Sequence, residues 1–307
     1  MILTRVALII RDKEPRKKDC AVQYERPTTL EDATKLLAQA DKSTFVLAGG
    51  TDLLVRMKSD DFEADLVVDI KSIQGMNDVI ETDEAFVIGA AVPCAALGEN
   101  VSLTSAWPGV VEAANLIGST QVQGRCTIVG NLCNASPAAD SVPALVAASA
   151  IARVAGPDGQ REINVTEIPL SPGKTSLKKG EIIHAIVLRK PDPRSGDAYL
   201  RFIPRTEMDI AVVGVAVNLT LDDTGVVQSA RVALGAVAPT VLLVEDAAKK
   251  LIGTKLETSV LDELAAACSA ACDPINDKRG TLEFRTQVAG VLARRAAQTA
   301  YDRAGEK

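Results

Sequence analysis

From Tyr24 onward the chain alternates between stretches in which apolar residues recur every three or four positions and short runs in which they are continuous. In "TLEDATKLLAQA" Leu30, Ala33, Leu36, Leu37 and Ala40 form a helical stripe. Thr28 precedes it with Glu31 three residues on, the spacing of a capping box. The apolar run Phe45 to Ala48 then reads as a buried strand stopped by Gly49-Gly50, and "DLVVDI" and "AFVIGAAV" read as two more strands. Helical spacing governs "WPGVVEAANLIG" until Gly118 breaks it, and it returns in "DSVPALVAASA". Two short strands follow around Pro157-Asp158-Gly159, then a strand in "EIIHAIVLRKP" that proline ends.

"PDPRSGD", Pro191 to Asp197, has the composition of a linker or exposed crossing, and a boundary is drawn near residue 195. Beyond it "IAVVGVAVNLTLDDTGVVQSARVALGAV" alternates as a hairpin around Asp-Asp-Thr-Gly. Helical segments follow near Val244 to Leu251 and Leu261 to Cys272. A last one carries Leu282, Val288, Val291 and Leu292 on one face. The pattern predicts a chain of mixed α and β elements: an extension at residues 1–20, one unit over 21–195 and a smaller one over 196–307.

Composition sharpens this. Of 307 residues 47% are hydrophobic but only 3% aromatic, so the core must be packed from aliphatic side chains. The formal charge is -6 and, a short N-terminal cluster aside, the basic residues are scattered, which gives nucleic acid no electrostatic footprint. No apolar run approaches the roughly 20 residues of a membrane span. "LTRVALII" is short and is followed by charge rather than preceded by it, the reverse of a secretory signal, so the expected location is the cytoplasm. Six dispersed cysteines read as small reduced thiols, not a disulfide scaffold.

The chemistry is constrained by which residues are scarce. His184 is the only histidine and falls inside an apolar strand pattern, which makes it structural and disfavours a hydrolytic triad or a multi-histidine metal site. Neither a P-loop nor a G-x-G-x-x-G fingerprint occurs, and no C-x-x-C spacing points to a metal. What remains is a pair of glycine turns, Gly49-Gly50 followed by Thr51 and Asp52, and Gly130-Asn131 in "TIVGNLCNAS", each read as following a strand. Successive main-chain amides in such turns can cradle phosphate oxygens, and two of them suggest a pyrophosphate with two grips. Asp140 is either a helix N-cap or an acceptor for a ribose or ribityl hydroxyl. Arg201, Arg205, Glu207 and Asp209 form either a solvated charged loop or a cationic group aimed at a cofactor or another subunit.

With these residues in place, the sequence resembles the FAD-binding medium subunit of the molybdenum hydroxylases, the carbon monoxide dehydrogenase and xanthine dehydrogenase family. The resemblance runs from about Tyr24 to Arg295 through "ERPTTLEDATKLLA", "VLAGGTDLLVRMK", "TIVGNLCNASPAADSVPALVA", "VAGPDGQRE", "RTEMDIAVVGVAV" and "RGTLEFRTQVAGVLARRA". It implies a vanillyl-alcohol-oxidase/PCMH-type FAD-binding domain of two α+β subdomains followed by a smaller C-terminal α+β domain. It implies that Val46, Leu47, Ala48, Gly49, Gly50, Thr51, Asp52 and Leu53 form one FAD pyrophosphate loop, and Thr127, Ile128, Val129, Gly130 and Asn131 the other. Ile117, Asp140, Ile183 and Arg201 would complete the site. Two departures stand out: Val129 occupies the first glycine position of the usual Thr-Ile-Gly-Gly-Asn, and Arg201 replaces a more usual lysine. The implied function is electron transfer from [2Fe-2S] clusters of a small subunit, fed by molybdopterin in a large subunit, through FAD to an external acceptor. The implied assembly is a dimer of heterotrimers. The competing readings are a stand-alone FAD-dependent oxidoreductase and a scaffold that has lost its cofactor, the latter suggested only by Val129.

Overall fold

The computed structural model describes residues 22–40, 43–59 and 62–307, so the expected extension and Cys20 lie outside the described residues. The chain starts with β1 (Gln23–Glu25), α1 (Leu30–Gln39), β2 (Thr44–Leu47), α2 (Leu53–Arg56) and β3 (Leu66–Asp69). The three strands form a parallel sheet in the order β1-β3-β2. The cap of α1 is Thr29 rather than Thr28: its hydroxyl accepts from the Asp32 amide at 3.1 Å, one residue later than the spacing of Thr28 and Glu31 suggests. Tandem threonines followed by tandem acids make the two registers indistinguishable in sequence, and burial of Ala33 fixes the one observed.

A second sheet is built from β4 (Val79–Glu81), β5 (Ala85–Gly89), β6 (Ile151–Gly156), β7 (Gly159–Asn164) and, after the small ribbon β8 (Pro169–Ser171) and β9 (Lys174–Thr175), β10 (Ile182–Arg189). It is antiparallel in the order β4-β5-β10-β6-β7. β10 lies in the middle and is apolar almost throughout, as expected of a strand covered on both faces. Between β5 and β6 come α3 (Cys94–Glu99), α4 (Val101–Ala106), α5 (Pro108–Ala114), α6 (Thr120–Gln123), α7 (Ile128–Cys133) and α8 (Ser141–Ala147). Here the sequence reading needs correction. "TIVGN" is not a strand ending in a turn but the first turn of α7, because the Thr127 hydroxyl caps the helix by accepting the Gly130 amide at 2.9 Å.

The third sheet comprises β11 (Ser195–Phe202), β12 (Val213–Leu221), β13 (Val227–Gly235) and β14 (Leu242–Leu243), joined in sequence order. The expected hairpin between β12 and β13 is held by the Asp222 carboxylate, which accepts the amides of Thr224 and Val226. α9 (Glu245–Leu251), α10 (Thr258–Ala271) and α11 (Leu282–Gly305) follow. Alternation sorts the strand residues: Tyr199, Ala216 and Ala233 join the core containing α5 and α8, while Ala198, Val215, Val217 and Leu234 join the core containing α9, α10 and α11. Ser195, Gly196 and Asp197 are buried strand residues, not an exposed crossing. A Cβ on Gly196 would lie 2.1 Å from the Ala300 carbonyl oxygen, so its glycine serves the approach of α11 rather than a turn.

Candidate functional site

The first sheet, α7 and β10 enclose a cleft of about 490 Å³. β2 leads into Gly49, Gly50, Thr51 and Asp52, whose amides donate to no group among the described residues, while the carbonyls of Gly50 and Asp52 accept from Leu54 and Arg56 of α2. The loop is anchored from beneath. Lys71 Nζ donates to the Ala48 carbonyl at 3.0 Å and pairs with Asp69 at 2.7 Å. Burial raises the Asp69 pKa, but bonds from Lys71 and the Tyr24 hydroxyl outweigh it and hold the carboxyl below its ordinary value.

The second run of amides opens α7. Thr127 satisfies the Gly130 amide, and the first-turn amides of Ile128 and Val129 have no acceptor within a helix. Val129 sits at helical φ, being absent from the positive-φ residues, so a β-branched side chain costs this turn nothing and the one hint of a lost site disappears. The first run packs, backbone to backbone, against Arg125 and Cys126, which lead into the second. A Cβ on Gly49 would lie 1.9 Å from the Arg125 carbonyl oxygen, and Gly50 adopts φ +77°. Only glycine at position 49 lets these two donor sets converge, and the apolar walls of Phe45, Val46, Ile70, Leu177 and Ile182 suit a large planar or ribose-bearing ligand.

Of the residues singled out in the sequence, Val46, Ala48, Gly49, Gly50, Thr51, Asp52, Leu53, Ile117, Thr127, Val129, Gly130, Asn131 and Ile183 line this cleft. Leu47 and Ile128 are not among the lining residues, and Ile128 is fully buried. Asp140 and Arg201 also stand off the cleft. Arg201 Nη1 donates to Asp140 Oδ2 at 2.8 Å and the Tyr199 hydroxyl to Asp140 Oδ1 at 3.0 Å. Asp140 therefore is not a side-chain N-cap of α8, because its carboxylate reaches across to β11 instead. Burial pushes its pKa up to about 6 against the pull of Arg201. The cleft connects to this cluster through Asn131, whose Oδ1 accepts the amide and hydroxyl of Ser141 at 3.2 and 2.7 Å. Arg205 and Glu207 are exposed and Arg205 pairs with Asp209 at 3.1 Å, which is the solvated-loop arrangement. His184 stands at a bulge of β10 and its carbonyl accepts the Ala90 amide, a structural role.

Sequence reasoning passed over Arg56, Cys126, Asn134, Thr175 and Glu181, which also line the cleft. Glu181 is held by two bonds of 2.9 Å from Arg161. These residues come from separated elements with no shared spacing, and only Cys126, next to Thr127, carried a local signal.

Two glycine-lined donor runs on a two-subdomain α+β scaffold, backed by a third sheet, define a flavin-dinucleotide-binding class of protein. Residues 20–191 match the family described as FAD binding domain in molybdopterin dehydrogenase, and residues 198–300 match the CO dehydrogenase flavoprotein C-terminal domain. The chain belongs to this family, the FAD-binding subunits of molybdenum hydroxylases. It is 33% identical to the carbon monoxide dehydrogenase medium chain of Afipia carboxidovorans over 92% of this chain and 97% of that one. It is 28% identical to the putative xanthine dehydrogenase FAD-binding subunit XdhB of Escherichia coli, again over 92% and 97%. The reconstituted CO dehydrogenase from Oligotropha carboxidovorans superposes with a TM-score of 0.88 at 32% identity, covering 92% of this chain and 98% of that chain. FAD is accordingly the cofactor of this chain, and its class is oxidoreductase.

Proposed function

We propose that this chain is the electron-relay subunit of a molybdopterin-dependent dehydrogenase, with the amides of Gly49 to Asp52 and of Ile128 and Val129 gripping the FAD diphosphate from two sides. The observation that carries this reading is the main-chain approach of Gly49, in the first run, to Arg125, two residues before the cap of the second. When bound, FAD supplies the redox chemistry, so the chain needs no side-chain nucleophile or acid of its own. The protein's part is to bind and orient. Lys71 fixes the first loop, Thr127 fixes the second, and Ile117 and Ile183 exclude water from the cleft. Asp140 and Arg201, through Ser141 and Asn131, hold the second loop against the C-terminal sheet.

Electrons enter from [2Fe-2S] clusters of a small subunit, which receive them from molybdopterin in a large subunit, and leave to an external acceptor. The assembly is a dimer of heterotrimers in the cytoplasm. Its partner subunits are supported by relatives named as medium chains and FAD-binding subunits, matched over nearly their whole length. No helix among the described residues is long and apolar enough to cross a membrane. The same relatives favour this reading over a stand-alone oxidoreductase. Co-expression with the two partner genes and assay of flavin and metal content tests it: flavin is expected on this chain, and substrate-driven dye reduction only in the complex. A chain that takes up no FAD even with its partners, or that reduces dye from NADH alone as fast as the complex does from substrate, overturns it.

A further inference from the structure

Two thiols meet in the cleft wall. Cys94 opens α3, Cys126 directly precedes the cap of α7, and the Cys94 amide donates to the Cys126 carbonyl at 2.8 Å. Each thiol also acts on the other's titration, holding Cys94 up and Cys126 down. Cys94 is fully buried behind Cys126, which is itself 4% exposed and lines the cleft. The other described cysteines lack this arrangement. Cys133 lines the cleft with no thiol beside it, and burial pushes its pKa up to about 12. Cys268 of α10 and Cys272 at its C-cap stand one turn apart, and the Cys272 thiol donates to the Cys268 carbonyl at 3.2 Å.

We propose that Cys94 and Cys126 are a two-thiol redox site, which a peroxide entering the cleft converts to a disulfide. In the first step the Cys126 sulfur attacks one peroxide oxygen. An S–O bond forms, the O–O bond breaks, and the departing oxygen leaves as water, giving a sulfenic acid on Cys126. In the second the Cys94 sulfur attacks the Cys126 sulfur. The S–S bond forms, the S–O bond breaks, and a second water leaves carrying the Cys94 proton. Two thiols are oxidised by two electrons and one hydrogen peroxide is reduced to two waters.

The order of events follows from the surroundings. Cys126 faces the cleft and Cys94 does not, so only Cys126 meets an incoming oxidant. The neighbouring Cys94 lowers the Cys126 pKa, against burial and the nearby Asp52 carboxylate, while Cys126 and burial raise that of Cys94. Backbones one hydrogen bond apart fall within the Cα separation of about 4.4–6.8 Å that a disulfide spans. The bond would tie the start of α3 to the residue preceding the second amide run, beside the contact between Gly49 and Arg125.

The test uses the full-length chain, purified reduced and freed of flavin, treated with hydrogen peroxide and mapped by peptide mass spectrometry without reductant. The expected product is a Cys94–Cys126 cross-link with loss of two hydrogens, reversed by dithiothreitol. Cys94→Ser should leave a sulfenic acid on Cys126 that dimedone traps, and Cys126→Ser should leave Cys94 unreacted. Both thiols remaining free in the wild-type chain while other cysteines oxidise, or Cys126 pairing elsewhere, would overturn the proposal. In a second arm, bound FAD is expected to slow the cross-link by roughly tenfold by covering Cys126. That arm rests on the proposed function, and flavin retention is followed separately by absorbance. A chain that cross-links but holds no flavin defeats the functional reading alone. A chain that holds flavin but never cross-links when stripped of it defeats the thiol site alone.

Discussion

At Gly49 a single methyl group decides whether two loops can meet. The atom it would strike is the Arg125 carbonyl oxygen, which is main chain and cannot swing aside, so Gly49→Ala must separate the donor runs. FAD retention in equilibrium dialysis is expected to fall at least about tenfold, or about 1.4 kcal/mol, in a variant that circular dichroism shows folded. Retention equal to the wild type would mean that the runs do not act together. Val129→Gly makes the opposite test. Because Val129 packs at helical φ, the glycine should bring no tighter binding and should destabilise the chain by roughly 1–3 kcal/mol in urea unfolding. The contrast between these positions shows what sequence could supply. Gly49-Gly50 was legible because glycine pairs after apolar runs have few roles. α7 was misread because "TIV" has strand composition, and the competing Thr127 cap becomes visible only as a bond to Gly130. Lys71 was invisible because its partner, Ala48, is 23 residues away and contributes only a carbonyl.

Among the elements, α11 explains how a chain so poor in aromatic residues builds a core. Ala289, Ala293, Ala296, Ala297 and Ala300 are fully buried along one helical face, and their small size brings the helix backbone down onto β11 at Gly196. The apolar residues read in the sequence as the helical face were the larger ones, yet Val291 is 42% exposed and Leu282 37%. Size misled there: the tight side of this helix is its alanine side. Ala297→Leu is therefore expected to lower stability by about 1–3 kcal/mol through overpacking, read as a lower urea midpoint at unchanged slope. A leucine accommodated without loss would show the α11–β11 contact to be loose. At the other end of the chain Thr29→Ala removes the cap of α1 and should cost about 1 kcal/mol, whereas Thr28→Ala should cost nearly nothing.

On the scale of the whole molecule, the C-terminal sheet is joined to the helices beside the cleft by two buried carboxylates. Asp197 of β11 accepts the Val110 amide at the start of α5, and faces Arg303 and Glu112. Asp140 meets Tyr199 and Arg201. In both, burial raises the pKa to about 6, more than the neighbouring arginine lowers it. An acid whose folded pKa lies above its unfolded value binds its proton more tightly in the folded chain. The resulting stability is fully present below about pH 4 and is lost as pH rises through about 6. Each carboxyl thus contributes a decline on the order of 2 kcal/mol across that window. Asp197→Asn removes one titration while keeping an acceptor for Val110, so its urea midpoint should change less with pH than that of the wild type. The two curves should draw apart between about pH 4 and pH 6 with the wild type falling faster, and the double variant with Asp140→Asn should be flatter still. A wild type that gains stability relative to Asp197→Asn over the same interval would mean that Arg303 overrides burial, and that the joint between sheet and helices is an ion pair rather than a desolvated acid.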